Sequence, residues 1–326
     1  MPNTLLPLFD APIVDDTVFR AIDLPGGQTA FACDLAGPTA DAPVVVLLHG
    51  LMATASLNWG PYLDDLAARY RVVALDHRGH GRGIVDGTPF TLEQCADDTA
   101  GLLDVLGVEH AILVGYSMGG PIAQLTWRRH GERVRGLVFC ATATSFGITP
   151  IDSLLLPLVD PILGGAGKAL AWLPWPVRSI LTQPALGLVV PGPAQRAEVA
   201  QAVRNHDLAS ISAAVREVLT YDSAGWIGQI SVPTAVVVTE RDRVVSPARQ
   251  ELLLDRLPDA TAIRIGADHL ACFTDPDIFG AALGEAIASV VERTTPAPTV
   301  GRLRARWRHW RSRSRNRGFR AGRTST

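Results

Sequence analysis

Six short, largely apolar runs punctuate the chain, at residues 44–48 (VVVLL), 71–75 (RVVAL), 111–114 (AILV), 136–140 (GLVFC), 235–238 (AVVV) and 261–265 (TAIRI). They are rich in β-branched residues and lack regular polar alternation, as strands covered on both faces do. Segments with apolar positions at helical spacing occupy 61–70, 91–106, 121–130 and 248–257. Strand and helix therefore alternate, and the pattern predicts an α/β chain built on a mostly parallel sheet flanked by helices.

The alternation stops between about residues 144 and 221. Two apolar segments punctuated by Pro and Gly stand there, followed by helix-like stretches at 193–204 and 208–219. From 143 to 195 the only charged residues are Asp152, Asp160, Lys168 and Arg178. This segment reads as a helical cap inserted over the carboxyl edge of the sheet, where open α/β folds place their sites. The organisation expected is a core in two parts, 1–143 and 222–293, a cap at 144–221, and a linker with an Arg-rich tail at 294–326.

Composition narrows the class. With 326 residues, 47% of them hydrophobic and 19% charged, the chain can bury a large core, which excludes a disordered polymer or a disulfide-stapled miniprotein. Cys33, Cys95, Cys140 and Cys272 form no C-x-x-C pair and read as reduced, packed thiols of a cytoplasmic protein. The first 20 residues lack the basic start and apolar run of a secretory signal. The apolar stretch at 154–175 is too interrupted by Pro, Gly, Asp160 and Lys168 to span a bilayer.

The net charge of −2 conceals a segregation, because ten of the 30 basic residues are arginines between 302 and 323, a stretch without acid. All 32 acidic residues precede it, so the first 300 residues carry about −12. In the tail Leu303, Trp307 and Trp310 fall at i, i+4 and i+7, the spacing of a basic interfacial helix. The partner expected is an anionic lipid surface, so the protein would lie at the inner face of the membrane. The acidic body and the lack of a nucleic-acid-binding motif argue against DNA or RNA.

Candidate chemistry centres on Gly115-Tyr116-Ser117-Met118-Gly119-Gly120, which follows the run at 111–114 directly and opens the helical pattern near Pro121. A Ser on a tight strand-to-helix turn between glycines has its hydroxyl thrust above the sheet at a helix N-terminus, the context of a nucleophile elbow. A serine hydroxyl is a weak nucleophile at neutral pH and needs a general base. Of eight histidines, His269 stands just after the last apolar run, where it can face Ser117. Asp242, after the run at 235–238, is the carboxylate expected to fix the His269 tautomer, with Glu240 and Asp268 as competitors. The order Ser, Asp, His is that of the α/β-hydrolase elbow rather than of chymotrypsin-like or subtilisin-like enzymes. In His49-Gly50-Leu51-Met52-Ala53 the backbone N–H of Leu51, with that of Met118, is placed to form an oxyanion hole.

These blocks together resemble the α/β-hydrolase fold superfamily, in its capped serine-hydrolase branch. LLHGLMA at 47–53, VVALDHRGHGRG at 72–83, LVGYSMGG at 113–120, VVVTERDRVVSP at 236–247 and GADHL at 266–270 carry the resemblance, which covers about residues 20–292. It implies an eight-stranded sheet, a Ser117/Asp242/His269 triad and no cofactor. No metal is expected, since there is no H-E-x-x-H and no Cys/His cluster in the sequence. Serine in place of aspartate at 117 points away from dehalogenases and epoxide hydrolases and toward acyl transfer. The leading expectation is a serine esterase or lipase-like hydrolase. It would cleave a small hydrophobic carboxylic ester, whose acyl chain lies against the apolar residues between Leu154 and Trp175. An acyltransferase or perhydrolase would use the same triad, and a non-catalytic ligand-binding relative is the third alternative.

Overall fold

The computed structural model describes residues 18–147 and 206–294. The apolar segment at 154–175, the helical stretch at 193–204 and the Arg-rich tail lie outside them. The sheet has eight strands, β1 (Arg20–Asp23), β2 (Thr29–Leu35), β3 (Val44–Leu48), β4 (Arg71–Leu75), β5 (Ala111–Tyr116), β6 (Val134–Cys140), β7 (Thr234–Thr239) and β8 (Ala260–Ile265). Their order is β1-β2-β4-β3-β5-β6-β7-β8. β2 runs antiparallel to both β1 and β4, and every other neighbouring pair is parallel.

All six expected strands are present. They are buried on both faces because successive side chains point to opposite layers. In β3, Val45 and Leu47 enter one apolar layer while Val46 and Leu48 enter the other, and β7 divides Ala235 and Val237 from Val236 and Val238 in the same way. β1 and β2 lack such a run, and their burial alternates or is partial. They form the antiparallel end of the sheet, with β1 as its edge strand.

Eight α-helices are described: α1 (Ala55–Trp59), α2 (Leu63–Ala67), α3 (Leu92–Val105), α4 (Gly119–Arg129), α5 (Leu208–Thr220), α6 (Pro247–Arg256), α7 (Ala271–Thr274) and the long α8 (Pro276–Thr294). Thr91 caps α3 by accepting from Gln94 N at 3.1 Å, and Asp207 caps α5 by accepting from Ser210 N at 2.9 Å. α3 and α4 cover one face of the sheet. α8 covers the other through Phe279, Ala282, Leu283, Ala286, Ile287 and Val290, a stripe at i, i+3, i+4, i+7, i+8 and i+11. Burying each large apolar side chain of these layers is worth about 1.5–3 kcal/mol. All four cysteines are free and buried.

The described residues stop at 147 and resume at 206. The two ends of the excursion meet, because Ser145 bridges to Asp222 and Ser223 N donates to Thr144 O at 2.9 Å. Among the described residues no helix is long and apolar enough to cross a membrane.

Candidate active site

The parallel register carries β3, β5, β6, β7 and β8 to one carboxyl edge, with Leu48 opposite Gly115, Tyr116 opposite Cys140 and Thr239 opposite Ile265. The turns that follow these strands are therefore neighbours in space although they are far apart in sequence.

Ser117 follows β5 directly with φ +50, in the left-handed region that side-chain-bearing residues rarely occupy. The conformation is held from both sides. Ser117 N donates to Cys140 O at 2.9 Å, and Ser117 O accepts from Gly120 N at 2.9 Å and from Thr142 Oγ1 at 2.8 Å. The tightness of the turn dictates its glycines. A Cβ on Gly115 would lie 2.3 Å from Gly119 O, and one on Gly119 would lie 2.1 Å from Leu48 O.

His269 Nε2 lies 3.0 Å from Ser117 Oγ, and its Nδ1 lies 2.7 Å from Asp242 Oδ2. The imidazole is largely enclosed, with 13% of its side chain exposed, while the Asp242 side chain is wholly buried. A buried carboxylate needs donors to replace water. Asp242 Oδ1 accepts from Val244 N and Val245 N, both at 2.8 Å, and Oδ2 accepts from Thr239 Oγ1 at 2.9 Å and Gln250 Nε2 at 3.2 Å. With that carboxylate as its neighbour, Nδ1 carries the proton and Nε2 presents a lone pair to the Ser117 hydroxyl. The two competing carboxylates are elsewhere. Glu240 is exposed, and Asp268 caps its own turn by accepting from Leu270 N at 2.8 Å.

Leu51 and Met118 flank the serine. Met118 follows it on the elbow, and Leu51 follows Gly50, whose added Cβ would stand 3.4 Å from Ser117 Cβ. The loop after β3 is pinned at Gly50, which donates N–H to Asn58 Oδ1 at 3.0 Å and accepts from His49 Nδ1 at 2.8 Å and Ala53 N at 3.3 Å.

Several contributors were not apparent from sequence spacing. Thr239 and Gln250 support Asp242. Tyr116 donates its hydroxyl to His269 O and Tyr62 donates to Cys272 O at 2.7 Å, so two buried tyrosines hold the turn that presents the base. Arg78 forms a buried two-pronged pair with Asp98, at 2.8 Å on each prong, which ties the loop after β4 to α3. His49, His77, His80 and His206 form a buried cluster of tilted rings beside the loop after β3, with ring centroids 4.2 Å apart for His49 and His77 and 5.2 Å for His80 and His206. Burial pushes all four imidazoles down, His77 to about 3, so they are neutral. His110 and His130 lie away from the site, against Glu132 O and Asp97. Among the described residues no group of His, Cys, Asp or Glu is arranged to hold a metal.

The architecture and the elbow are those of the α/β-hydrolase fold. Residues 43–160 match the family model for the alpha/beta hydrolase fold. Over 103 residues the chain is 38% identical to a protein of Caulobacter sp. strain K31 named as the carbamate hydrolase RutD. That match takes in 31% of this chain and only 38% of the relative. The RutD protein of Escherichia coli O157:H7 strain EC4115 is 28% identical over 268 residues, 80% of this chain and 97% of that one. Among solved structures, the enol-lactonase of Burkholderia xenovorans LB400 superposes with a TM-score of 0.66 at 22% identity, covering 82% of this chain and all of the lactonase.

Proposed function

We propose that this α/β hydrolase is a serine hydrolase that cleaves a hydrophobic carboxylic ester through an acyl-enzyme on Ser117. The observation that carries the reading is the continuous chain from Ser117 Oγ to His269 Nε2 at 3.0 Å and from His269 Nδ1 to Asp242 Oδ2 at 2.7 Å. His269 takes the Ser117 proton as Oγ attacks the ester carbonyl, and Asp242 stabilises the imidazolium that forms. The backbone N–H groups of Leu51 and Met118 receive the negative charge on the carbonyl oxygen. Collapse expels the alcohol, which takes the proton from His269. Water, deprotonated by His269, then attacks the acyl-enzyme and releases the acid.

The similarity to RutD proteins favours a second substrate class for the same machinery, a carbamate, whose carbonyl Ser117 would attack in the same way. The residues expected to line an acyl pocket, between Leu154 and Trp175, lie outside the described residues, so chain-length preference has to be measured.

The test is turnover of p-nitrophenyl esters from acetate to palmitate, and of an aryl carbamate, by the wild type and by Ser117→Ala. We expect the variant to lose on the order of 10⁴–10⁶ in kcat. An optimum at acetate would remove the acyl pocket from the reading, and preference for the carbamate would select the second class. If the wild type turns over neither and a fluorophosphonate leaves Ser117 unlabelled, the serine-hydrolase reading is wrong and the protein is a ligand-binding relative.

A further inference from the structure

We propose that His206, at the point where the chain returns from the insertion, is a positioning residue that holds the oxyanion loop in shape; the inference rests on the serine-hydrolase reading above. The loop after β3 carries one of its strained residues next to the proposed donor. Met52, which follows Leu51, has φ +59 and is 39% exposed. A non-glycine residue in this region costs about 1–2 kcal/mol and persists only where its surroundings impose it. The turn's own closure is a single long bond, from Ala53 N to Gly50 O at 3.3 Å.

His206 supplies the constraint from outside. Its Nε2 lies 3.1 Å from Met52 O and its Nδ1 lies 2.8 Å from Gly81 N. The amide of Gly81 can only donate and the carbonyl of Met52 can only accept, so the imidazole must be neutral with its proton on Nε2. Burial, which pushes His206 down, favours that form. The ring thereby clamps the peptide after Met52 to the loop after β4, which is fixed in turn by Asp76 through Ala55 N at 2.8 Å and Arg82 N at 3.0 Å.

The return strand is itself anchored there. Asp207 N donates to Gly79 O at 3.0 Å, and a Cβ on Gly79 would stand 2.1 Å from Ser210 Cβ, so α5 packs directly on that loop. The arrangement connects the insertion to the Leu51 amide through one side chain. Where the end of the insertion sits decides how the loop presents its N–H.

Two substitutions separate the bonds. In His206→Gln, Nε2 can stand where the imidazole Nε2 does and keep the donor to Met52 O. In His206→Asn, Oδ1 stands where Nδ1 does and keeps only the acceptor for Gly81 N. We expect His206→Asn to lose about 10- to 100-fold in kcat, part of what deleting an oxyanion donor costs. KM should stay within about twofold, and affinity for an alkyl trifluoromethyl ketone, whose tetrahedral adduct places an oxyanion in the hole, should fall in parallel with kcat. His206→Gln should restore most of both. The inference is overturned if His206→Asn matches the wild type in kcat and ketone affinity, or if both variants lose activity only in proportion to a lowered melting temperature. A wild type with no turnover and no fluorophosphonate labelling at Ser117 would sink the serine-hydrolase reading, and this inference with it. Normal wild-type turnover with an unaffected His206→Asn would remove this inference alone.

Discussion

At Asp242 one carboxylate serves two structures at once, and its two oxygens divide the work. Oδ1 closes its own turn by accepting from Val244 N and Val245 N, while Oδ2 faces His269 Nδ1. Asp242→Asn can keep the first function by placing its carbonyl oxygen toward the two amides. Its NH₂ then faces His269 and donates to Nδ1, which leaves the proton on Nε2. Ser117 is 3.0 Å from that nitrogen and loses its base. We expect Asp242→Asn to lower kcat by about 10³–10⁴-fold. The melting temperature should fall modestly, since the turn is kept but the amide nitrogen replaces an oxygen that accepts from Thr239 Oγ1 and Gln250 Nε2, and a drop under tenfold in steady-state ester hydrolysis would show that Asp242 does not set the tautomer. Ser117, Asp242 and His269 were legible in the sequence because each is presented by the end of a strand that announces itself as an apolar run. Thr239, Gln250, Tyr116 and His206 were not. The partners of Tyr116 and His206 are reached across the fold, more than 120 residues away, while Thr239 and Gln250 lie close to Asp242 along the chain but stand in no spacing that marks them as its donors.

Between elements, the loops after β3 and β4 and the start of α5 meet at His49, His77, His80 and His206, whose rings are buried and tilted against one another. Neither ring nitrogen of His77, nor His80 Nε2, has a hydrogen-bond partner among the described residues. Each of the four has a folded pKa below its unfolded value near 6.5, so the stabilisation that depends on their being neutral is present above pH 6.5 and lost as pH falls. Asp76, raised to about 6 by burial, acts in the opposite sense, since the folded state keeps a proton there that the unfolded state gives up between about pH 4 and 6. Burial raises Asp98 and Glu217 in the same sense as Asp76, so these three carboxyls stand against the four imidazoles, whose unfolded values near 6.5 lie inside the range from pH 5.5 to 7.5. Each proton taken up only on unfolding costs up to about 1.4 kcal/mol per pH unit. The urea midpoint should therefore fall between pH 7.5 and 5.5, and His77→Leu, which removes one titrating site and two unpartnered nitrogens, should flatten that fall. Equal midpoints at the two pH values for the wild type would show that the cluster does not govern acid stability. This part of the molecule was only half legible. The central strands are apolar on both faces and stand out, whereas β1 is a largely exposed edge strand and β2 beside it mixes buried Ala30, Ala32 and Cys33 with Thr29 and Asp34 instead of a continuous apolar run. His49, the neighbours His77 and His80, and His206, separated by 28 and 126 residues, gave no sign that they would share one pocket.

Over the whole molecule the decisive feature is where the charge lies. The first 300 residues carry about −12, and the ten arginines between 302 and 323, outside the described residues, carry the compensating charge. An acidic body is repelled by an anionic bilayer, and the tail alone can reverse that sign at the surface. Each arginine held near an anionic leaflet contributes about 1 kcal/mol, so even a fraction of the ten outweighs the repulsion of a body kept a Debye length away. The same arginines can instead fold back on the body's own carboxylates, which would neutralise the attraction without any lipid. Sedimentation with phosphatidylglycerol vesicles separates the two outcomes. We expect the full chain to pellet with anionic vesicles at low salt and to stay in solution with phosphatidylcholine alone. A chain ending at residue 300 should remain in solution with both, and about 1 M salt, where the Debye length shrinks to about 3 Å, should release the full chain. If full-length and shortened chains pellet equally, the tail is not the membrane contact. Loss of pelleting with unchanged turnover of a soluble ester would place the arginines in locating the enzyme rather than in its chemistry. A hydrophobic ester substrate would make that separation useful, because a short water-soluble ester needs only the site built from Ser117, His269 and Asp242, while a lipid-borne one must first be reached.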